Sequence, residues 1–170
     1  MNEKPHKKVF PVELLRVKDG SLRFAHGSWH LTLELEKFDL PNCFENEFAE
    51  VYQAIETNIR IEFSDPSPEQ MAGRIIQFDL PNEELEGSMY LGHAHHPIDI
   101  FELDASTLDA PPSKPCSISF KAKIVLTHEG LDYGPGVEYD DCLIAYKLQL
   151  TPEGEGWLIG PADPMPLAGS

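Results

Sequence analysis

The residues with the most chemical potential lie in "YLGHAHHPIDIFELD", residues 90–104, where His93, His95 and His96 fall within four positions and Glu102 follows. In an extended segment His93 and His95 point to one side and His96 to the other, so two imidazoles could share an ion. A transition-metal site needs three or four ligands at about 2.0–2.2 Å, which makes Glu102 the candidate third ligand, with His26, His30 and His128 as alternatives. Pro97 directly after His96 favours a turn, and histidines in a turn are simply solvated.

The His-x-His pair on a strand of a β-rich chain resembles the metal-binding histidines of cupins. That resemblance implies a metal-dependent β-barrel enzyme or sensor using His93, His95 and Glu102. The chain departs from the cupin pattern in the longer gap to Glu102 and in the sequence around His128. Other catalytic signatures are missing: "AHGSWH" holds Ser28 between His26 and His30 without a nucleophile elbow, and no H-E-x-x-H, phosphate-cradling or dinucleotide glycine motif occurs. No cofactor is therefore expected, and a divalent metal belongs only to the cupin-like alternative.

A second constellation suits recognition better than catalysis. "LDYGPGVEYDDC", residues 131–142, gathers Asp132, Glu138, Asp140 and Asp141 around Tyr133 and Tyr139 on a Gly-Pro-Gly bend. Tyrosine offers rigid amphipathic contact area, and carboxylates match Arg and Lys on a partner. All six residues are expected to contact a basic protein, with Tyr139 as an exposed anchor whose loss spares the fold. The acidic "DLPNEELEG" at 79–87 is a similar protrusion.

Charge points the same way. The chain has 13 Lys+Arg and 29 Asp+Glu, a net charge of −16, which repels nucleic acid and anionic membranes and attracts basic partners. Six of the 13 basic residues fall in the first 24 positions, against three acids there, whereas residues 75–113 carry eight acids and no Lys or Arg. Small, very acidic and free of catalytic motifs, the chain is similar in character to bacterial immunity proteins that neutralise basic toxins. The first functional expectation is accordingly a non-enzymatic protein-binding domain, and the cupin-like metal site is the alternative.

The elements that position these residues follow from hydrophobic periodicity. At 170 residues and 41% hydrophobic composition, one β-rich domain over 1–160 is expected, with a flexible tail over 161–170. "VELLRVKDGSLRFAHG" reads as a hairpin turning at Asp19-Gly20. "SWHLTLELEKF" alternates, placing Trp29, Leu31, Leu33 and Leu35 on one face, and "NIRIEF" does the same through Ile59, Ile61 and Phe63. Between them Phe44, Phe48, Val51, Tyr52 and Ile55 make one helical stripe behind Asn42, which predicts a helix over 43–56. Further strands are expected in "RIIQFDL", "SMYLG", "IDIFEL", "CSISFKAKIVLT" and "DCLIAYKLQL".

"FDLPN" occurs at 38–42 and 78–82, a 40-residue separation that marks either a duplicated unit or two similar exits from a sheet. The predicted fold is α+β and predominantly antiparallel β, a sandwich or open barrel of eight to ten strands with that single helix. Cys43, Cys116 and Cys142 lack disulfide or zinc spacing and are expected as reduced core residues. Without an apolar leader or a membrane-length span, the protein is expected in the cytoplasm.

Overall fold

A computed structural model describes residues 7–38, 57–79, 85–91, 94–126 and 138–167. In chain order they form β1 (Lys7–Lys8), β2 (Val17–Ala25), β3 (Ser28–Leu35), β4 (Thr57–Phe63), the single helical turn α1 (Pro68–Met71) and β5 (Ile75–Gln77). Then come β6 (Leu85–Leu91), β7 (Ala94–Asp104), β8 (Cys116–Ile124), β9 (Glu138–Tyr139), β10 (Cys142–Glu153), β11 (Gly156–Ile159) and β12 (Met165–Pro166). A 3-10 turn at Val12–Leu14 precedes β2. The helix predicted over 43–56 lies outside the described residues.

Eight strands form a closed antiparallel barrel. The order β2-β3-β4-β6-β7-β8-β10-β11 returns to β2, because β11 pairs with both β10 and β2. The expected antiparallel β character holds, and the sheet closes on itself rather than remaining open or folding into a sandwich. Closure leaves these eight strands without a free edge over their paired lengths, which removes the template for edge-to-edge aggregation. β5 and β12 extend the sheet beside β7 and β10, and β1 pairs with β9 in parallel.

Period-2 alternation fills the interior. Trp29, Leu31, Leu33 and Leu35 of β3 are buried, as are Ile59, Ile61 and Phe63 of β4. On β8, Ile118, Phe120, Ala122 and Ile124 point inward while Lys121 and Lys123 stand outside. An eight-stranded barrel is just wide enough to be packed by side chains of this size. Tyr146 lies fully buried within it and donates its hydroxyl to Leu15 O at 2.6 Å, tying the segment before β2 to β10.

The hairpin expected at Asp19-Gly20 is displaced. Both residues lie within β2, and the chain turns at His26-Gly27, whose φ angles of 54° and 80° place both in the left-handed region a two-residue hairpin uses. Gly20 has another role: a Cβ there would stand 2.3 Å from Thr32 O on β3, next to a register shift between Val17 and Asp19. The glycine marks a close strand approach, which the same dipeptide also signals.

Of the repeated "FDLPN", Phe38 and Phe78 are both buried, and the segments after them fall largely outside the described residues. Within 161–167, expected as a flexible tail, Ala162 exchanges backbone hydrogen bonds with Val17 at 2.8 and 3.1 Å, and Met165–Pro166 pair with Ala145 and Ile144. Among the described residues no helix is long and apolar enough to cross a membrane.

Gly20→Ala must displace the Thr32 carbonyl or the strand behind it. The expected cost is about 1–3 kcal/mol, read from urea unfolding. A loss below about 0.5 kcal/mol would show that β2 and β3 separate freely at this point.

Candidate functional site

Three surfaces carry groups with chemical potential: the outer face of β6 and β7, the start of β10, and the barrel mouth where β2, β4 and β10 end.

On the first surface the expected metal ligands do not converge. His93 lies outside the described residues. His95 and Glu102 sit on the same strand seven residues apart, about 20 Å along β7. His95 Nε2 shares a 2.7 Å hydrogen bond with Ser88 Oγ across the β6–β7 ladder, and its ring lies 5.3 Å from that of Tyr90. Glu102 accepts from Gln77 Nε2 at 2.8 Å and pairs with Lys121 Nζ at 3.0 Å. These two partners, the Gln77 hydrogen bond first, hold its carboxyl below the usual glutamate range. Its stabilising contribution is therefore present at neutral pH and is lost as pH falls through the lowered value. His96 faces inward and is fully buried. Among the described residues no three His, Cys, Asp or Glu side chains are grouped to hold a metal ion.

The Ser88–His95 contact places a hydroxyl within reach of a base. It sits on the outside of the β6–β7 ladder, whose amides bond neighbouring strands, so among the described residues oxyanion donors are not presented to it. No carboxylate among the described residues lies within ion-pair distance of His95 to orient it. The contact works as a polar cross-strand pair. Burial, and to a lesser degree Asp141, pushes the Cys142 thiol up to about 12, and burial also raises Cys116, which disfavours the thiolate form of both.

At the start of β10 the expected recognition loop divides. Asp132 and Tyr133 lie outside the described residues, and the side chain of Glu138 is not described. Asp140 is exposed. Asp141 accepts a hydrogen bond from Leu126 N at 2.9 Å and pairs with Lys123 at 3.6 Å, so it ties β10 to the end of β8. Tyr139, expected as an exposed anchor, is instead only 5% exposed and meets Phe10 edge-to-face at 5.4 Å. The arm before β2 supplies an apolar partner far away in sequence, so the ring is drawn into the core and cannot anchor a partner from outside. A 370 Å³ cavity at this end is lined by Lys18, Lys37, Asp19, Glu34 and Thr57, with charges of both signs.

The opposite mouth holds a second, smaller cavity. Its floor is aromatic: the Trp29 and Trp157 rings stack at 6.3 Å, and Phe24 meets Trp29 edge-to-face at 5.3 Å. Trp29 donates its indole N–H to Pro66 O at 2.8 Å, holding the segment that enters α1 over the barrel end. Pro68 opens that helical turn, Gln70 Oε1 accepts from Ser67 N at 3.1 Å, and buried Met71 fastens the turn to the core. The β7–β8 connection forms the facing wall. Ser106 N bonds Asp104 Oδ1, Thr107 Oγ1 donates to Ser117 O, and Leu108 is buried, which together fix Pro111 and Pro112 beside the floor. Gly73 N to Ala105 O and Ala105 N to Arg74 O join the two walls.

The cavity between these walls measures about 240 Å³. Among the described residues its charged lining groups are Glu69 on α1 and Glu155 in the β10–β11 turn, both exposed, with no Lys, Arg or His. The indole N–H of Trp157 is buried and has no hydrogen-bond partner among the described residues. Such an orphan donor carries its desolvation cost uncompensated. Sequence reasoning overlooked this site because its parts lie at 24–29, 68–69, 110–112 and 155–157, each unremarkable alone. The nearest local signals were Pro111-Pro112 and a tryptophan directly after the Gly154–Gly156 turn.

Comparison of the chain with protein-family models, curated proteins and solved structures finds no match.

Two expectations follow. Tyr139→Ala should cost about 3 kcal/mol or more of unfolding free energy, because a buried aromatic leaves a cavity; an unchanged denaturation midpoint would place the ring outside the core. EDTA should leave the melting temperature unchanged, whereas a sharp fall would reveal a metal holding the fold together.

Proposed function

We propose that the chain is an acidic, non-enzymatic binding domain for a basic protein, with chemistry suited to an immunity-type inhibitor of a basic toxin. One observation carries this reading: the mouth cavity combines apolar lining from Phe24, Pro68, Pro111 and Pro112 with Glu69 and Glu155 as its charged lining groups among the described residues. Interfaces are anchored by apolar and aromatic area at the centre and selected by complementary charge around it.

The whole-chain charge of −16 supports the same partner by raising the encounter rate with a cation-rich surface. Exposed Asp140, at the opposite end of β10, adds to that field without belonging to the mouth. Free thiols at Cys116 and Cys142 suit a reducing compartment, which favours the cytoplasm.

Capture from the source cell at low ionic strength should retain a protein of high isoelectric point. Its association rate should fall steeply as salt rises to the level where the Debye length is about 8 Å. Asp140→Asn should mainly slow association. Retention of neutral or acidic partners alone, or a rate indifferent to salt, would overturn the reading.

A further inference from the structure

Resting on the reading of a basic partner, we infer that β9 is a docking edge for an extended basic segment of that partner, and that the chain's own Lys7–Val9 is a strap occupying this edge beforehand.

The pairing itself is the first observation. β1 and β9 form a two-stranded sheet apart from the barrel, paired in parallel over Lys7–Lys8 and Glu138–Tyr139, and β9 has no other strand partner among the described residues. Parallel pairs are the weaker kind, and two strands alone are marginal in water. The strap is therefore held far less firmly than the wall beside it.

Its limits are set by burial. Val9 is 83% exposed, whereas Phe10 is 1% exposed and meets Tyr139 edge-to-face at 5.4 Å. Beyond Phe10 the chain is fastened by buried Val12 and Leu15 and by the Tyr146 bond to the Leu15 carbonyl at 2.6 Å. Lys7–Val9 can thus lift away with Phe10 as the pivot, while Tyr139 stays in the core. What lifting uncovers is backbone, the feature that strand addition uses.

The strap also shows the kind of segment the edge takes. The register sets Lys7 opposite Glu138 and Lys8 opposite Tyr139, and Asp140 and Asp141 follow in sequence. Two adjacent lysines in extended backbone thus lie beside the acidic run that leads into β10. A partner segment of the same chemistry meets the same charges and the same backbone groups. The edge lies at the end of β10 away from the mouth, so it engages a separate segment from any at the cavity.

The test uses the full chain, its charge-reversed form carrying Lys7→Glu and Lys8→Glu, and the pentapeptide acetyl-Pro-His-Lys-Lys-Val-amide, which copies residues 5–9. In the wild type, amide exchange at Glu138–Asp140 should outpace that at Ile118–Ile124 by at least about a hundredfold. It should quicken about tenfold further at about 1 M salt, where the Debye length is about 3 Å. Charge reversal sets Glu opposite Glu138, so the strap should leave β9 while protection at Ile118–Ile124 persists. The pentapeptide should then shift the Tyr139 and Asp140 amide signals of the variant saturably. The wild type should bind it about tenfold more weakly, because the tethered strap competes at an effective concentration in the millimolar range. The same pentapeptide with both lysines replaced by glutamate should shift neither chain. Exchange at β9 no faster than at β8, loss of β8 protection in the variant, variant signals unmoved at about 10 mM peptide, or equal binding to both chains overturns the inference. If a captured basic protein binds the variant no better than the wild type, the strap fails and the binding reading stands. If the pentapeptide titrates as expected but no basic protein binds, the strap stands and the binding reading fails.

Discussion

The fold depends on a four-residue strand. Gly156–Ile159 pairs with β10 through Leu150–Glu153 and with β2 through Gly20–Leu22, and these ladders join the first and last walls of the sheet. All other neighbours around the barrel follow one another along the chain, allowing for the short strands set outside the ring. Closing a loop of this length costs on the order of 4 kcal/mol in chain entropy, offset by burial of Leu22, Trp157 and Ile159 at the seam. The same seam makes the mouth, because Trp157 belongs both to the closing ladder and to the aromatic floor. Closure and cavity are one construction.

Much of the wall was readable before any coordinates. Clean alternation in "SWHLTLEL" and "NIRIEF" placed Trp29, Leu31, Leu33 and Leu35, and Ile59, Ile61 and Phe63, on the interior face, and each of these residues is buried as the two-residue period requires. Asp19-Gly20 misled because a glycine required by strand proximity looks, in sequence, like one required by a turn. The predicted helix over 43–56 and half of the acidic loop lie outside the described residues.

The candidate site was not legible, for a physical reason. Periodicity reports which face of an element is buried, but not which strand ends meet at a barrel rim. Tyr139 illustrates this from the other side: its neighbours Asp140 and Asp141 suggested an exposed loop, while the group that decides its position, Phe10, is 129 residues away. His95 and Glu102 looked compatible as ligands until the strand that holds both kept them apart. Pairings of this kind are properties of topology, and no local pattern encodes them.

The hydrogen bond from Tyr146 to the Leu15 carbonyl has a temporal side. A ribosome makes the acceptor 131 residues before the donor, an interval on the order of ten seconds at ordinary elongation rates. Throughout that interval the arm bearing Phe10, Val12 and Leu15 has no completed core to enter, and β2 has no partner on its second edge. The nascent chain therefore exposes an adhesive edge and an apolar lead segment until β11 has been synthesised.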